Sequence, residues 1–282
     1  MFSLKIENAN GEIFELTHDS ENYNIIGVQG LTPPPIVINA STGGNVDGTF
    51  YNSSRLNQRN IVITIVLNGD IEGNRQRLYQ IFNLKKPCTI YFKNTNRDVK
   101  IQGYVETLEA DLFTQREQVQ VSIICPRPYF EDLNTIYTEL SQIIRMFEFP
   151  FEIEQPIPFS EIEENPLCTI INAGDAESGF VMRLSFTATI TELKIYNTTT
   201  QKFIGFDYTF LDQDELTINT MSGQMGVTLI RDGQEINLLN FIAANSSWLK
   251  LALGENKFTY TTSDFTECVN ITFITTTLYG GV

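Results

Sequence analysis

The chain holds a single histidine, His18, and that limits its chemistry before anything else is read. A Ser-His-Asp or Cys-His nucleophile needs an imidazole within hydrogen-bond reach of the attacking atom. His18 lies in the polar run "THDSEN", where a solvated turn is the expected setting. Zinc and non-haem iron centres draw on several histidines or on closely spaced cysteines. The cysteines are Cys88, Cys125, Cys168 and Cys268, none within four residues of another, so metal and redox spacings are both absent. Cys88 and Cys125 sit in apolar runs, as buried thiols do. Paired carboxylates remain, because a glycosidase needs only two, roughly 5 to 9.5 Å apart. Glu161, Glu163 and Glu164 form one candidate group, and Asp212, Asp214 and Glu215 another. Both groups lie in loop-like sequence without aromatic neighbours that would wall a cleft, and they read as solvated turns. "DQDE" lacks the glycine and distal glutamate of an EF-hand loop. The glycines of "STGGNVDG" are followed by neither Lys-Ser/Thr nor a helix, so they cradle no phosphate. Trp248, in "SSWLKL", is the one candidate carbohydrate contact, since an indole can stack on a sugar ring. The alternation of Leu249, Leu251 and Leu253 favours a core position for it instead. No catalytic, cofactor or metal residue is nominated, and no enzyme activity is expected.

Charge narrows the partners. With 34 acidic and 19 basic residues the formal charge is −15. Such a chain is repelled by nucleic-acid phosphates and anionic membranes unless its bases cluster. The densest basic group, Arg75, Arg77, Lys85 and Lys86, flanks a short predicted helix and reads as a solvated face. Met1 to Gly11 contains no apolar stretch, and no run is long enough to span a bilayer. The expectation is a protein made and kept soluble in a cytoplasm, with no membrane insertion.

The elements that would position any site are mostly strands. Twenty Phe and 11 Tyr favour pleated surfaces. Phe2, Leu4 and Ile6 alternate before an Asn10-Gly11 turn, which predicts an N-terminal hairpin. A strand at Ile25–Val28 follows, then Pro33, Pro34 and Pro35, which fit an edge or exposed crossing. Arg59 to Leu67 predicts a central strand packed on both faces. Asp70 is placed to cap a helix running to Phe82, with Ile71, Leu78, Ile81 and Phe82 as its buried stripe. A hairpin from Thr89 to Leu108 and a strand from Val119 to Cys125 complete this half. "CPRPYF" then stiffens the exit, and the boundary is placed there, giving domains 1–130 and 131–282. Leu133 to Ile144 fits a strand or a helix, and Pro150 to Pro166 an ordered crossing. Eight short strands follow, at Thr169–Ile171, Phe180–Phe186, Glu192–Tyr196, Lys202–Tyr208, Glu215–Asn219, Met225–Ile230, Lys257–Tyr260 and Val269–Thr275. That spacing is the signature of an antiparallel sandwich or jelly roll.

The ordered series of motifs also resembles the phage distal tail protein family. It begins with "VQGLTPPPIVIN", "DGTFYNSSRLNQRNIVITIVLNGDIEGNRQRLYQIF", "GYVETLEAD" and "VQVSIICPRPYF". It continues with "MFEFPFEIEQPIPFSEIEENPLCTIINAGDAESG" and closes with "SSWLKL", "GEN" and "LYGGV". No single motif is specific; the order is. The resemblance implies a mainly β protein: a β-sandwich-like N-terminal ring domain with one short helix and a hairpin, then an outward galectin-like sandwich. It implies a structural protein at the virion tail tip, assembled in the host bacterial cytoplasm. It further implies a homo-hexameric ring joining the tail tube protein to tail-tip, tail-associated lysin and receptor-binding proteins. A carbohydrate-binding β-sandwich module touching host glycans is the alternative.

A ring that passes DNA must not hold it. Asp19, Glu21, Asp47, Asp70, Glu72, Glu109 and Asp111 are the candidate acids for a negative lumen. The assembled protein should show no measurable affinity for duplex DNA by gel shift in about 50 mM salt, where phosphate contacts are strong. Tight, salt-sensitive binding would contradict this reading.

Overall fold

The computed structural model describes residues 2–16, 21–45, 47–114, 116–140, 143–145, 160–162, 167–263 and 268–282, with backbone alone for 143–145 and 160–162. His18, Asp19, Glu163, Glu164 and most of the expected Pro150 to Pro166 crossing lie outside these residues. Two compact units are formed: Met1–Leu133 together with Leu278–Val282, and Asn134–Thr277. The "CPRPYF" exit alone does not reveal that the last five residues join the first unit.

In the first unit, alternating side chains write the strands. β1 (Ser3–Glu7) and β2 (Ile13–Leu16) are the N-terminal hairpin. Its turn is fixed by the Asn8 side-chain oxygen, which accepts from the Asn10 and Glu12 N–H groups at 3.0 Å. Then come β3 (Tyr23–Gln29), β4 (Ile36–Ser41), β5 (Phe50–Leu56), β6 (Arg59–Leu67), α1 (Ile71–Ile81), β7 (Pro87–Lys93), β8 (Asp98–Ala110), β9 (Gln118–Cys125) and β10 (Phe130–Leu140). Seven strands run antiparallel in the order β2-β1-β7-β8-β9-β6-β3. The thirteen residues of β8 pair with β7 over their first half and β9 over their second, and Val99 and Lys100 also meet the start of β10.

As expected, β6 is internal to its sheet, between β3 and β9. Ile61, Ile63 and Ile65 on one face are fully buried, whereas Val62 and Thr64 on the other are half-buried. The expectation of packing on both faces therefore holds only at the strand's end, where Val66 is buried. Asp70 caps α1, its carboxylate accepting from the Gly73 N–H at 3.2 Å. Leu78, Ile81 and Phe82 are buried, but Ile71 is exposed. The expectation that Ile71 belongs to the stripe fails because residues 71–73 are all exposed, so the first turn stands clear of the core. Two strands that the sequence does not announce, β4 and β5, pair among the described residues only with each other. The region that fitted strand or helix is extended, within β10 and the short β11 (Ile143–Arg145).

β11 pairs with β12 (Ser160–Ile162). The rest of the second unit is β13 (Cys168–Asn172), β14 (Val181–Phe186), β15 (Leu193–Asn197), β16 (Lys202–Phe206), β17 (Glu215–Asn219), β18 (Gly226–Arg231), β19 (Gln234–Asn237), β20 (Gly254–Thr262) and β21 (Val269–Tyr279). One sheet has the order β19-β18-β17-β14-β21 and the other β13-β20-β15-β16. All eight expected strands are present. β19 escapes notice because a single isoleucine gives it no period. It is set by a tight turn in which Asp232 and Gly233 both take positive φ, the geometry that matches strand twist. Both sheets give side chains to one core, in which Phe180, Phe258 and Phe273 meet with ring centroids 4.7 to 5.7 Å apart. Phe186 stacks on Phe210 at 4.5 Å. The protein is mainly β, with one α-helix among the described residues.

Phe258 is fully buried at the meeting point of the two sheets. Phe258→Ala should cost about 3–5 kcal/mol of second-unit stability, because the cavity it leaves cannot collapse fully. Urea unfolding followed by the Trp248 fluorescence checks this.

Candidate functional site

The hairpin of β4 and β5 has no core of its own. Ile36 pairs with Leu56 and Ile38 with Ser54; after a bulge at Asn39/Ala40, Ala40 pairs with Tyr51 and Ser41 with Phe50. Ile36, Ile38, Phe50 and Tyr51 are each more than half exposed. A two-stranded hairpin is marginal alone in water, and its outer edges carry unpaired backbone groups. Polar side chains brace it from within. The Asn39 amide donates to Ser53 Oγ at 3.1 Å, Ser41 Oγ to Asn52 Oδ1 at 3.3 Å, and the Tyr51 and Ser54 hydroxyls are 2.8 Å apart. Its base is closed by the Asn57 N–H donating to Pro35 O. The preceding prolines offer no N–H to any ladder, so this approach stays a stiff, unpaired strut.

Soon after the hairpin comes Arg59, 1% exposed, whose hydrogen bonds all go to backbone carbonyls. Its guanidinium donates to four carbonyls: Pro128 at 2.8 Å, Gly30 at 2.5 Å, Thr32 at 2.7 Å and Gly280 at 2.6 Å. It also lies over the Phe130 ring, 4.4 Å from its centroid. Burial pulls its pKa below the ordinary arginine value, with the Cys125 side chain opposing. A Cβ at Gly30 would stand 1.9 Å from Asn60 O, so this close approach admits glycine alone. Sequence reasoning missed Arg59, whose partners are scattered from Gly30 to Gly280.

The acids expected in loops occupy mixed settings. Glu21, Asp47, Glu109 and Asp111 are exposed, Asp70 is the helix cap, and Glu72 pairs with Arg75 at 3.6 Å. The basic group is not the uniformly solvated face expected. Arg75 is largely covered and bridges Glu117 at 2.9 Å, and Arg77 pairs with Glu12, because both are aimed back toward acids of neighbouring strands and loops. Lys85 and Lys86 are exposed. Trp248 is half-buried and packs against the second unit's core; Leu249 and Leu251 are buried beside it, and Leu253 is exposed. Cys88, Cys125 and Cys168 are buried, and burial raises their thiols to about 11, 12 and 11, too high for a thiolate nucleophile at neutral pH. Among the described residues no group of three His, Cys, Asp or Glu could hold a metal ion.

Comparison with known proteins places these observations. Residues 10–125 match the family model described as a phage tail protein RIFT-related domain, and residues 173–275 that of the siphovirus-type tail component, C-terminal domain. Among solved structures, the crystal structure of SPP1 Dit (gp 19.1), described as a paradigm of the hub adsorption apparatus in Gram-positive infecting phages, superposes with a TM-score of 0.69. Identity is 16%, covering 98% of this chain and 99% of that one. The phage P2 baseplate in its activated conformation with Ca matches with a TM-score of 0.50 at 10% identity, over 97% and 98% of the two chains. The form with Sr gives the same score and identity over 98% of each. No curated protein matches the chain.

Of the first acid group, Glu161 lies in β12, and Asp212 and Glu215 of the second are exposed. Asp214 is 1% exposed, not the solvated turn acid expected. Arg231 reaches it from β18 with Nε at 2.9 Å and Nη2 at 2.5 Å, and the Leu211 N–H donates at 2.8 Å. Burial alone would raise the Asp214 pKa, but the Arg231 hydrogen bonds, the Leu211 N–H and the Arg231 charge hold it below the ordinary carboxylate value. A depressed carboxyl stabilises the fold above its unfolded value and loses that contribution as pH falls through the folded one. Thermal melts of the second unit should therefore weaken below about pH 4, and Asp214→Asn should flatten that dependence while lowering stability at neutral pH.

Proposed function

Since the chain belongs to the siphovirus-type tail component family, as a phage distal tail protein, we propose that it forms a closed ring, hexameric in stoichiometry, between the tail tube and the tail-tip apparatus. Its structural role in a phage tail hub rests on that membership. The ring rests above all on the β4–β5 hairpin, an arm with four exposed apolar side chains, free edges and a stiff proline root. Exposed apolar patches of this kind mark association sites. One heterologous contact, repeated with a rotation that closes, gives a ring without a second kind of interface. In this reading the arm seats on a neighbouring copy. The tube protein occupies one side of the ring, and tail-tip, tail-associated lysin and receptor-binding proteins the other. The protein assembles in the host cytoplasm, and DNA passes through a lumen that its net charge of −15 helps to keep negative.

Negative-stain images and light scattering of the concentrated full-length protein should show rings of six. Ile38→Asp together with Tyr51→Asp should shift the protein to monomer with unchanged circular dichroism, since both side chains are exposed in the isolated chain. A wild-type protein that stays monomeric at high concentration, or rings that survive the double substitution, would refute the arm-mediated ring.

A further inference from the structure

Leu278–Val282 follow β21 in the chain but belong to the first unit. Each of the last four residues is contacted there. The Tyr279 O–H donates to Asp132 Oδ2 at 3.0 Å, and its ring centroid lies 4.2 Å from the Arg97 guanidinium carbon. Gly280 O accepts from Arg59, and Gly281 O accepts from Arg97. The Val282 N–H donates to Leu31 O at 3.1 Å. A Cβ at Gly281 would come within 3.0 Å of Pro33 Cδ and 3.2 Å of Leu31 O. Tyr279 and Val282 also pack against the first unit's core.

These are the elements of peptide recognition. A ring is gripped by a cation and a carboxylate, two carbonyls are read by arginines, the glycine between them lies where a Cβ would press on Pro33 and Leu31, and an N–H is paired at the end. None of the contacts needs a covalent link to the first unit. We propose that the first unit carries a binding groove for an aromatic-Gly-Gly-aliphatic peptide, and that Tyr279–Val282 of the same chain is its resident occupant. The occupant acts as a latch. Arg59 donates to Gly280 on one side and to Gly30 and Thr32 on the other, so the segment and the root of the β4–β5 arm share one guanidinium. Emptying the groove leaves that guanidinium buried with one acceptor fewer, which loosens the residues it holds. The first unit therefore holds the root of its arm firmly only while the groove is filled.

Hydrogen exchange read by mass spectrometry tests this on three forms: the wild-type chain, the chain with Gly281→Ala, and a chain ending at Thr277. In both altered forms, protection of residues 28–32 should fall roughly tenfold or more, while β14 and β17 exchange as in wild type. Millimolar synthetic Leu-Tyr-Gly-Gly-Val peptide should restore protection in the shortened chain, and the same peptide with Ala for Tyr should not. Unchanged protection of residues 28–32 in Gly281→Ala overturns the proposal, as does a folded shortened chain that ignores the peptide. If the shortened chain does not fold, the full-length Gly281→Ala form decides by itself.

Discussion

A positive charge has been taken out of water at Arg59 and given backbone carbonyls and one aromatic face in return. That is a demanding arrangement, because a buried guanidinium carries a desolvation cost of several kcal/mol, on the order of that for other buried ions. The cost is offset only if nearly every N–H finds an acceptor. Gly30, Thr32, Pro128 and Gly280 must therefore all be present and in place. They lie in three stretches: the Gly30–Thr32 lead into the prolines, the exit from β9 and the close of the chain. With the start of β6, which carries Arg59, four segments are thereby brought to one point. Phe130 closes the site from below and shields it from water.

The constraint explains the unusual freedom of the β4–β5 arm. Most hairpins are held by the core beneath them, and this one has almost none. Its root is fixed instead, by a cation one residue beyond β5 and its closing linker, by prolines with no competing N–H, and by a glycine that lets β6 approach to contact distance. An arm anchored at its root needs little buried area of its own. It can keep Ile36, Ile38, Phe50 and Tyr51 outside until a partner covers them.

The strands of both cores were legible because burial on one face forces a two-residue period, as in Ile61, Ile63 and Ile65 or Leu216 and Ile218. Where that period is missing, sequence reading fails for a physical reason. β5 is "FYNSSRL", wholly exposed but for its last residue, so nothing selects alternation. β10 reads "FEDLNTIYTEL", whose apolar positions suit either period, and its pairing decides the outcome. Asp214 looks like one more loop acid because Arg231, which buries it, is 17 positions away and across a turn. The joint at Arg59 was not legible, since a lone arginine at a strand's start carries no mark of what it will hold.

Carbonyl groups are the same in every residue. A joint that reads only carbonyls is indifferent to the side chains at positions 30, 32, 128 and 280, apart from the room they leave. The same holds for the backbone bond from Val282 to Leu31. Such a scaffold can lose most of its letters while keeping its geometry, provided the cation and a few small residues persist. A shared fold at 16% identity with SPP1 Dit is the level of divergence that a fastening of this kind permits.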